Sequence, residues 1–453
     1  MKRIQFYEYS GFLGQNGEVT SSIAQLSLRP QEVQFLKTIS ESVFRGKRIF
    51  DIGATEIRAT SLVGVVAFGN VQIEILPKLI KFEHDSDKKL RASILKNLMF
   101  MLSYTNCVET ADAGVGNLSE KSDSFIEAYI GIFASRLLSH LIRFGTPKDY
   151  VSKEENLSVI RGRIAFSKHS SLNCFDQSKV FCAFSEFSEN NPLSQAFKYV
   201  AQNLLKFTSS PDNSNTLNRC VGMLDGVVAK YISPSELTRA VVGKKNPNFV
   251  ALISLLKMFL AKMRPEFGGT PEQKVFTLLF DMNELFEDFI FQSLKRHSTL
   301  LEIEVTAQKK RRLVSEERDL AGSRSWSPKK LFDTFTDISI KPKIGKEFII
   351  DTKYKVISNE KSHYGISNQD AYQILAYRQI HKQNGEEPSV ALLYPLGETA
   401  LQKEFRITGS NSTFSAWTID VSRDLKSSMN SFIEDLRVLI AHGTEVFEKD
   451  EAA

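Results

Sequence analysis

DISIKPKIGKEFIIDTKYK, residues 337–355, reads as two strands joined by a tight turn. An acid, Asp337, stands at the start of the first strand, and the apolar run Phe348, Ile349, Ile350 leads into Asp351-Thr352-Lys353 on the second. Side chains two apart on a strand point the same way, so Asp351 and Lys353 share a face, and a hairpin brings Asp337 beside them. Two carboxylates and an ammonium at one sheet edge are what metal-assisted phosphodiester cleavage needs. Oxygen ligands hold Mg²⁺, the cation offsets charge on the scissile phosphate, and a lysine orients or deprotonates a water. The bland alternative is an exposed hairpin with solvated charges.

The context is more specific than the triplet. Acid-x-Lys also occurs at Asp87–Lys89, Glu272–Lys274 and Asp424–Lys426, but none of these follows a β-branched apolar run with an acid one hairpin upstream. Working outward, residues 275–296 read as one amphipathic helix with Phe276, Leu279, Phe280, Leu285, Phe286, Phe289 and Ile290 on its buried stripe. Glu287 lies near the edge of that stripe, where it can face the hairpin and complete a metal shell directly or through water. For Glu287 and its neighbour Glu284 the alternative is a solvated helix charge. Downstream, residues 370–378 read as a second helix with Gln373 and Tyr377 one turn apart and Asn368 or Gln369 at its cap. A Gln and a Tyr there can touch the phosphate or the water, or can simply form a polar helix face.

Composition places the chain among ordinary globular proteins: 453 residues, 42% hydrophobic, 25% charged, with room for two or three domains. The 33 Phe residues predict aromatic-rich cores, and the net charge of +5 allows a polyanionic partner without demanding one. Lys309-Lys310-Arg311-Arg312 and Lys329-Lys330 flank the hairpin and suit phosphate contacts, or a solvated loop. Cys107, Cys174, Cys182 and Cys220 show no Cys-x-x-Cys pairing, which argues against a zinc site and fits a reducing, cytoplasmic setting. The first residues carry no signal-peptide core, and no run approaches the ~20 apolar residues of a membrane span.

The fold class expected is multidomain α+β. Residues 1–85 read as a β-rich N-terminal module, with strands at 48–52, 57–60, 62–68 and 71–76, a Gly69-Asn70 hairpin turn and one helix at 29–42 opened by Pro30. A charged linker at Glu83–Lys89 follows. Residues 86–270 read as mainly helical, with helices at 90–104, 122–144, 192–207, 217–231 and 248–262 and a β-hairpin insert whose strands are 158–166 and 179–187. The insert carries Arg161-Gly162-Arg163, which fits a phosphate, an acidic partner or a turn with solvated arginines. Residues 271–453 read as an α/β domain with a mixed central sheet, strands at 389–395 and 413–421, a closing helix at 425–441 and a frayed tail.

Several separated motifs, in order, give the chain a resemblance to the McrC family, the nuclease subunit of McrBC-type modification-dependent restriction systems. They are Val71–Lys78, Leu157–Ile164, Glu186–Leu193, Met282–Phe289, Thr336-Asp337-Ile338 and Asp351–Tyr354. The last two resemble the PD-(D/E)xK nuclease superfamily, with Thr336 where the superfamily has Pro. The resemblance implies a C-terminal restriction-endonuclease-like domain with Asp337 and Asp351 as Mg²⁺ ligands, the Thr352 carbonyl as a further ligand and Lys353 as the catalytic lysine. Glu287 and Gln373 would support that site. It also implies an AAA+ GTPase hexamer as partner, docked on and stimulated by the N-terminal module, and double-stranded methylated DNA as substrate; the sequence does not say whether the nuclease dimerises in the complex, though cutting both strands usually needs two sites. The chain itself has no Gly-x-x-x-x-Gly-Lys-[Ser/Thr] loop, since the Gly-Lys pairs at Gly46, Gly243 and Gly345 lack the following hydroxyl. Two rival readings stand beside the endonuclease: a regulatory GTPase-activating subunit whose nuclease site is inactive or secondary, and a DNA-binding protein with neither activity.

Overall fold

The computed structural model describes residues 2–14, 18–26, 28–41, 47–78, 88–105, 125–175, 178–241, 247–262, 275–319, 325–358, 360–382, 386–396, 399–409, 412–421 and 424–450. Most of the linker expected at Glu83–Lys89, the start of the helix expected at 122–144, Cys107, and the Gly-Lys pairs at Gly46 and Gly243 lie outside the described residues.

From the N-terminus, β1 (Lys2–Tyr7), β2 (Phe12–Leu13) and β3 (Val19–Thr20) precede α1 (Pro30–Glu41). Next come β4 (Phe50–Ile52), β5 (Ile57–Ala59), β6 (Leu62–Phe68) and β7 (Val71–Leu76). Gly69, at φ +52°, makes the turn between β6 and β7 that its Gly-Asn pair predicts. Then follow α2 (Lys88–Tyr104), α3 (Phe125–Phe144), β8 (Asp149–Leu157), β9 (Arg163–Ile164), α4 (Phe166–Leu172) and β10 (Val180–Ser188). The helices α5 (Pro192–Leu204), α6 (Pro211–Met223), α7 (Pro234–Val241) and α8 (Val250–Lys262) come next. The C-terminal part holds β11 (Val275–Asp281), α9 (Met282–Arg296), α10 (Ser298–Leu301), β12 (Ile303–Glu317), β13 (Ser327–Pro342) and β14 (Phe348–Thr352). It ends with α11 (Asn368–Ile380), β15 (Ser389–Pro395), β16 (Gln402–Arg406), β17 (Thr413–Ile419) and α12 (Leu425–Asp450). The protein is multidomain α+β with mixed sheets. No helix among the described residues is long and apolar enough to cross a membrane.

Five expectations change. The single helix expected over 275–296 is strand β11 followed by α9; Asp281 caps the helix, its Oδ1 accepting the Asn283 and Glu284 amides at 2.9 and 3.4 Å. A short apolar run is compatible with a strand or a buried helix turn, and here the strand pairs in a six-stranded sheet of order β11-β6-β7-β1-β2-β3. The strand expected over 158–166 shrinks to β9, and the long partner of β10 is β8, paired from Val180↔Leu157 to Ser188↔Asp149. The helix expected over 217–231 is α6, opened earlier by Ser210, whose side chain accepts the Asn213 amide, and by Pro211. Finally, Asp337 does not begin its strand but lies ten residues into β13, and the basic run Lys309–Arg312 lies on β12 rather than on a loop.

The chain divides into two compact units, one of Met1–Arg3, Val65–Ile73 and Cys107–Leu278, the other of Ile4–Gly64, Glu74–Asn106 and Leu279–Ala453. In the first, Asn191 caps α5 by accepting the Leu193 and Ser194 amides, as the Asn-Pro pair predicts. There Glu127 of α3 gathers the Thr208 hydroxyl, the Ser209 amide and the Asn213 side chain at 2.5–2.7 Å. The second unit holds a mixed sheet of order β12-β13-β14-β15-β17-β16. β14 runs antiparallel to β13 and parallel to β15, and β15 runs parallel to β17. Alternation on β14 sends Ile349 into one core with Ile374, Tyr377, Val390, Leu392 and Tyr394, while Phe348 stacks on Trp417 at 5.7 Å. Each such buried side chain contributes ~1.5–3 kcal/mol, so slipping β14 by one residue would reverse its faces and forfeit that burial.

Candidate active site at the end of the central strand

The same alternation that buries Ile349 puts Asp351 on the α11 face at the C-terminal end of β14. The register Ile338↔Ile350 carries Asp337 opposite Asp351. Asp337 Oδ2 accepts the Thr352 amide at 2.9 Å and the Thr352 hydroxyl at 3.0 Å, which fixes its carboxylate to the end of the neighbouring strand. Asp351 is fully buried, and neither of its oxygens has a well-aligned hydrogen-bond donor. Its cationic neighbour among the described residues is the Lys353 ammonium, 2.6 Å from Oδ2. Lys353 lies one residue beyond β14, yet its amide donates to the Leu393 carbonyl at 2.9 Å and so extends the ladder.

The electrostatics follow from this crowding. Burial, then the Asp337 charge, pushes Asp351 up to about 7 against the pull of Lys353. Burial also raises Asp337, opposed by Lys353 and by the Thr352 hydrogen bonds. Burial alone would lower Lys353, but Asp351 and Asp337 overcome it and hold the ammonium charged.

Glu287 is half-buried on α9, accepts from the Gln308 side chain of β12, and is raised to about 7 by burial and then by Asp337. Gln373 on α11 donates to the Tyr377 hydroxyl at 2.5 Å, and that hydroxyl donates to the Phe335 carbonyl at 2.7 Å, two residues from Asp337. Burial, then Asp351, raises the Tyr377 phenol. Thr352 is buried, with its amide and hydroxyl both committed to Asp337, a role that the sequence reading did not assign.

Among the described residues no group of three or more His, Cys, Asp and Glu side chains is set to hold a metal ion. The side-chain oxygen donors here are two carboxylates. That set suits Mg²⁺, which is bound by one or two protein carboxylates and keeps several waters. The unmet acceptors of buried Asp351 are the structural feature that fits a hard cation.

Sequence reasoning missed two neighbours. Asp370 accepts from Lys355 and from the Tyr394 hydroxyl at 3.1 Å. It also forms a capping box with Ser367, so Ser367 caps α11 rather than Asn368 or Gln369. The Ser-x-x-Asp spacing is the signal that could have found it. Lys78 donates to the Tyr354 carbonyl from 276 residues away, and nothing local announces it.

Fold and site together define a multidomain α+β protein with a carboxylate pair and a lysine at the carboxyl end of a central strand. The profile of the family described as "McrBC 5-methylcytosine restriction system component" matches residues 57–395. The chain belongs to that family, as its separated motifs led one to expect. It is 22% identical over 335 residues to the Type IV methyl-directed restriction enzyme EcoKMcrBC of Escherichia coli (strain K12), covering 70% of this chain and 89% of that protein. A solved half-complex from a tetradecameric assembly of Thermococcus gammatolerans McrB AAA+ hexamers with bound McrC aligns with a TM-score of 0.66 at 18% identity. The alignment covers 96% of this chain and 100% of that one, a likeness of fold. The Thermococcus gammatolerans McrBC complex aligns with a TM-score of 0.46 at 20% identity, over 65% of this chain and 88% of that one.

Proposed function

We propose that this chain is the Mg²⁺-dependent DNA endonuclease subunit of a modification-dependent, McrBC-like restriction system. In this reading it docks on an AAA+ GTPase hexamer and stimulates it. The observation that carries the cleavage assignment is the buried Asp351, opposite Asp337 and paired with Lys353 at the end of β14. Residues 271–453 form the PD-(D/E)xK domain in this reading, residues 86–270 the helical middle, and residues 1–85 the docking module. The absence of a phosphate loop from the sequence supports a borrowed energy source.

Asp337 and Asp351 would hold the metal, with the Thr352 carbonyl as a further ligand. Bound Mg²⁺ supplies charge stabilisation at the scissile phosphate and a more acidic water. Lys353, kept charged by the two aspartates, orients the attacking water and offsets phosphate charge. Glu287, with its raised pKa, accepts or returns a proton at the edge of the water shell. Gln373, steadied by the Tyr377 hydroxyl, presents its amide to phosphate or water. The substrate is double-stranded, methylated DNA, and cutting both strands calls for two such sites, hence a nuclease dimer in the complex.

The test is Asp351→Ala in the complex with its GTPase partner. The variant should bind DNA and stimulate GTP hydrolysis as before, with cleavage reduced ~10³-fold or more. Normal cutting by the variant overturns the assignment. A wild-type complex that stimulates GTP hydrolysis but leaves DNA uncut at every Mg²⁺ concentration would favour the regulatory reading.

A further inference from the structure

The backbone of Lys353 to Lys355 is held at three points. The Lys353 amide donates to the Leu393 carbonyl at 2.9 Å, and the Lys355 amide donates to the Lys353 carbonyl at 2.9 Å, closing a three-residue turn centred on Tyr354. The third point comes from the end of β7. Lys78 Nζ donates to the Tyr354 carbonyl at 2.5 Å. The Lys78 ammonium sits 4.9 Å from the ring centroids of both Tyr9 and Tyr354. Glu8 fixes it in turn: Oε2 accepts the Lys78 amide at 3.1 Å, Oε1 lies 3.8 Å from Nζ, and the Glu8 amide donates to the Leu76 carbonyl at 2.9 Å. The buried Tyr354 ring also packs at 5.9 Å on Phe286, the residue before Glu287.

Packing does not require a charge at residue 78. Taking an ammonium and a carboxylate out of water costs several kcal/mol per ion, and an apolar pair of similar volume would often be at least as stable. What the charge does achieve is a fixed direction for one carbonyl, one peptide beyond the lysine that meets Asp351.

We propose that Lys78, set by Glu8, is a positioning residue for Lys353, and that through it the segment at the end of β7 is a working part of the cleavage site. The inference rests on the endonuclease reading above. Without the ammonium the turn keeps its two backbone hydrogen bonds but loses the one that directs the Tyr354 carbonyl, and the root of Lys353 shifts relative to Asp351. A misplacement of about 1 Å at a reacting geometry costs on the order of 10²-fold in rate. The loss belongs to kcat, because Lys78 touches no DNA-facing group that the reading invokes.

The experiment compares wild type, Lys78→Met, Lys78→Arg and Asp351→Ala, each full-length and in complex with the GTPase partner. Steady-state cleavage of methylated DNA is measured at saturating Mg²⁺, alongside GTPase stimulation and melting temperature. Lys78→Met should lower kcat ~10–100-fold, with KM for DNA held and the fall exceeding any change in GTPase stimulation, and Lys78→Arg should recover most of the loss. An unchanged kcat in Lys78→Met, a loss confined to KM, or equal loss in Met and Arg variants with a parallel fall in melting temperature overturns the proposal. If Lys78→Met does not fold, Glu8→Gln serves instead, since its amide still fills the site. A selective fall in kcat is then expected, and none overturns the idea. Asp351→Ala separates the two claims: normal cleavage by that variant removes the endonuclease reading itself, whereas a dead Asp351→Ala beside an active Lys78→Met removes only this inference.

Discussion

Glu347 stands one residue before β14 and ties three elements together beneath the site. Its Oε1 takes the Lys309 ammonium of β12 at 2.6 Å and the Ser339 hydroxyl of β13, and its Oε2 faces His381 Nδ1, at the end of α11, at 3.3 Å. Burial alone would raise this carboxyl, but the His381, Lys309 and Ser339 contacts pull it down from 4.5 to about 2. A folded-state pKa below the unfolded one means that the carboxylate stabilises the fold fully above pH ~4.5 and loses that contribution as pH falls towards ~2. At 1.36 kcal/mol per pKa unit the shift is worth about 3 kcal/mol. Lys309 is 29% exposed, and solvent screening trims the figure to roughly 2 kcal/mol. Glu347→Gln should therefore lower the local opening free energy of the β13–β14 amides by about that amount at pH 7, and the gap between variant and wild type should shrink by roughly half by pH 3 and close only as pH falls through about 2. Native-state hydrogen exchange at the Ser339, Ile349 and Ile350 amides reads this directly, which matters because a chain of two units does not unfold as one transition. Equal protection in both proteins at pH 7, or a difference that persists unchanged at pH 3, would refute the reasoning.

Tyr377→Phe removes the hydroxyl that bridges Gln373 and the Phe335 carbonyl. It should cost about 1 kcal/mol of stability in thermal unfolding and lower cleavage on the order of 10-fold; unchanged cleavage would exclude α11 from the site. Gly162 sits at φ +71°, and a Cβ there would lie 2.6 Å from the Ala183 carbonyl oxygen. Gly162→Ala should destabilise the β8–β10 sheet by on the order of 2 kcal/mol, visible as faster limited proteolysis in that sheet. Lys330, exposed on β13, is expected to meet phosphate. Lys330→Ala should reduce the slope of log affinity for DNA against log salt by about 1, with no change in preference among sequences.

The hairpin geometry was legible because it depends on a period of two and a fixed register, both local properties. Asp351 and Lys353 share a face for the same reason that Ile349 and Asp351 do. The capping of α5 by Asn191 was equally local. What escaped the sequence reading was less local or less apolar. β8, DYVSKEENL, has almost no apolar alternation, and its pairing with β10 is reinforced by cross-strand charges such as Lys153–Glu186 at 2.5 Å, so a hydrophobic pattern could not reveal it. β11 looked helical because five of its seven residues are apolar and suit either period; only the Asp281 cap marks the change. The basic run Lys309–Arg312 read either as a set of phosphate contacts or as a solvated loop; it lies on β12, where Lys310 and Arg312 reach across to Asp333 on β13 at 2.7 and 3.3 Å. Lys78 and Tyr354 meet because residues 74–106 and 279–453 belong to one compact unit, a fact of topology that no spacing encodes.

The electrostatics of Asp351 connect these observations. A carboxylate with no exposure, opposite a second carboxylate and raised to about 7, carries a desolvation cost that one partly exposed lysine offsets only in part. Packing alone would favour an apolar residue at the end of β14, since the alternate positions beneath it are Ile349 and its buried neighbours. The chain instead concentrates acids there: Asp337 and Asp351 on paired strands, Glu287 on α9 and, two residues beyond Lys353, the Lys355–Asp370 pair. It then fixes them with hydrogen bonds that do not neutralise them, Thr352 to Asp337 and Tyr377 to Phe335. Rigid geometry around a buried carboxylate pair supports the proposed site for a hard cation and a phosphodiester. In the proposed reading Lys78 lies outside the reacting set yet matters to it, because it fixes backbone beyond Lys353 and an ion pair at 2.6 Å tolerates little movement of either partner.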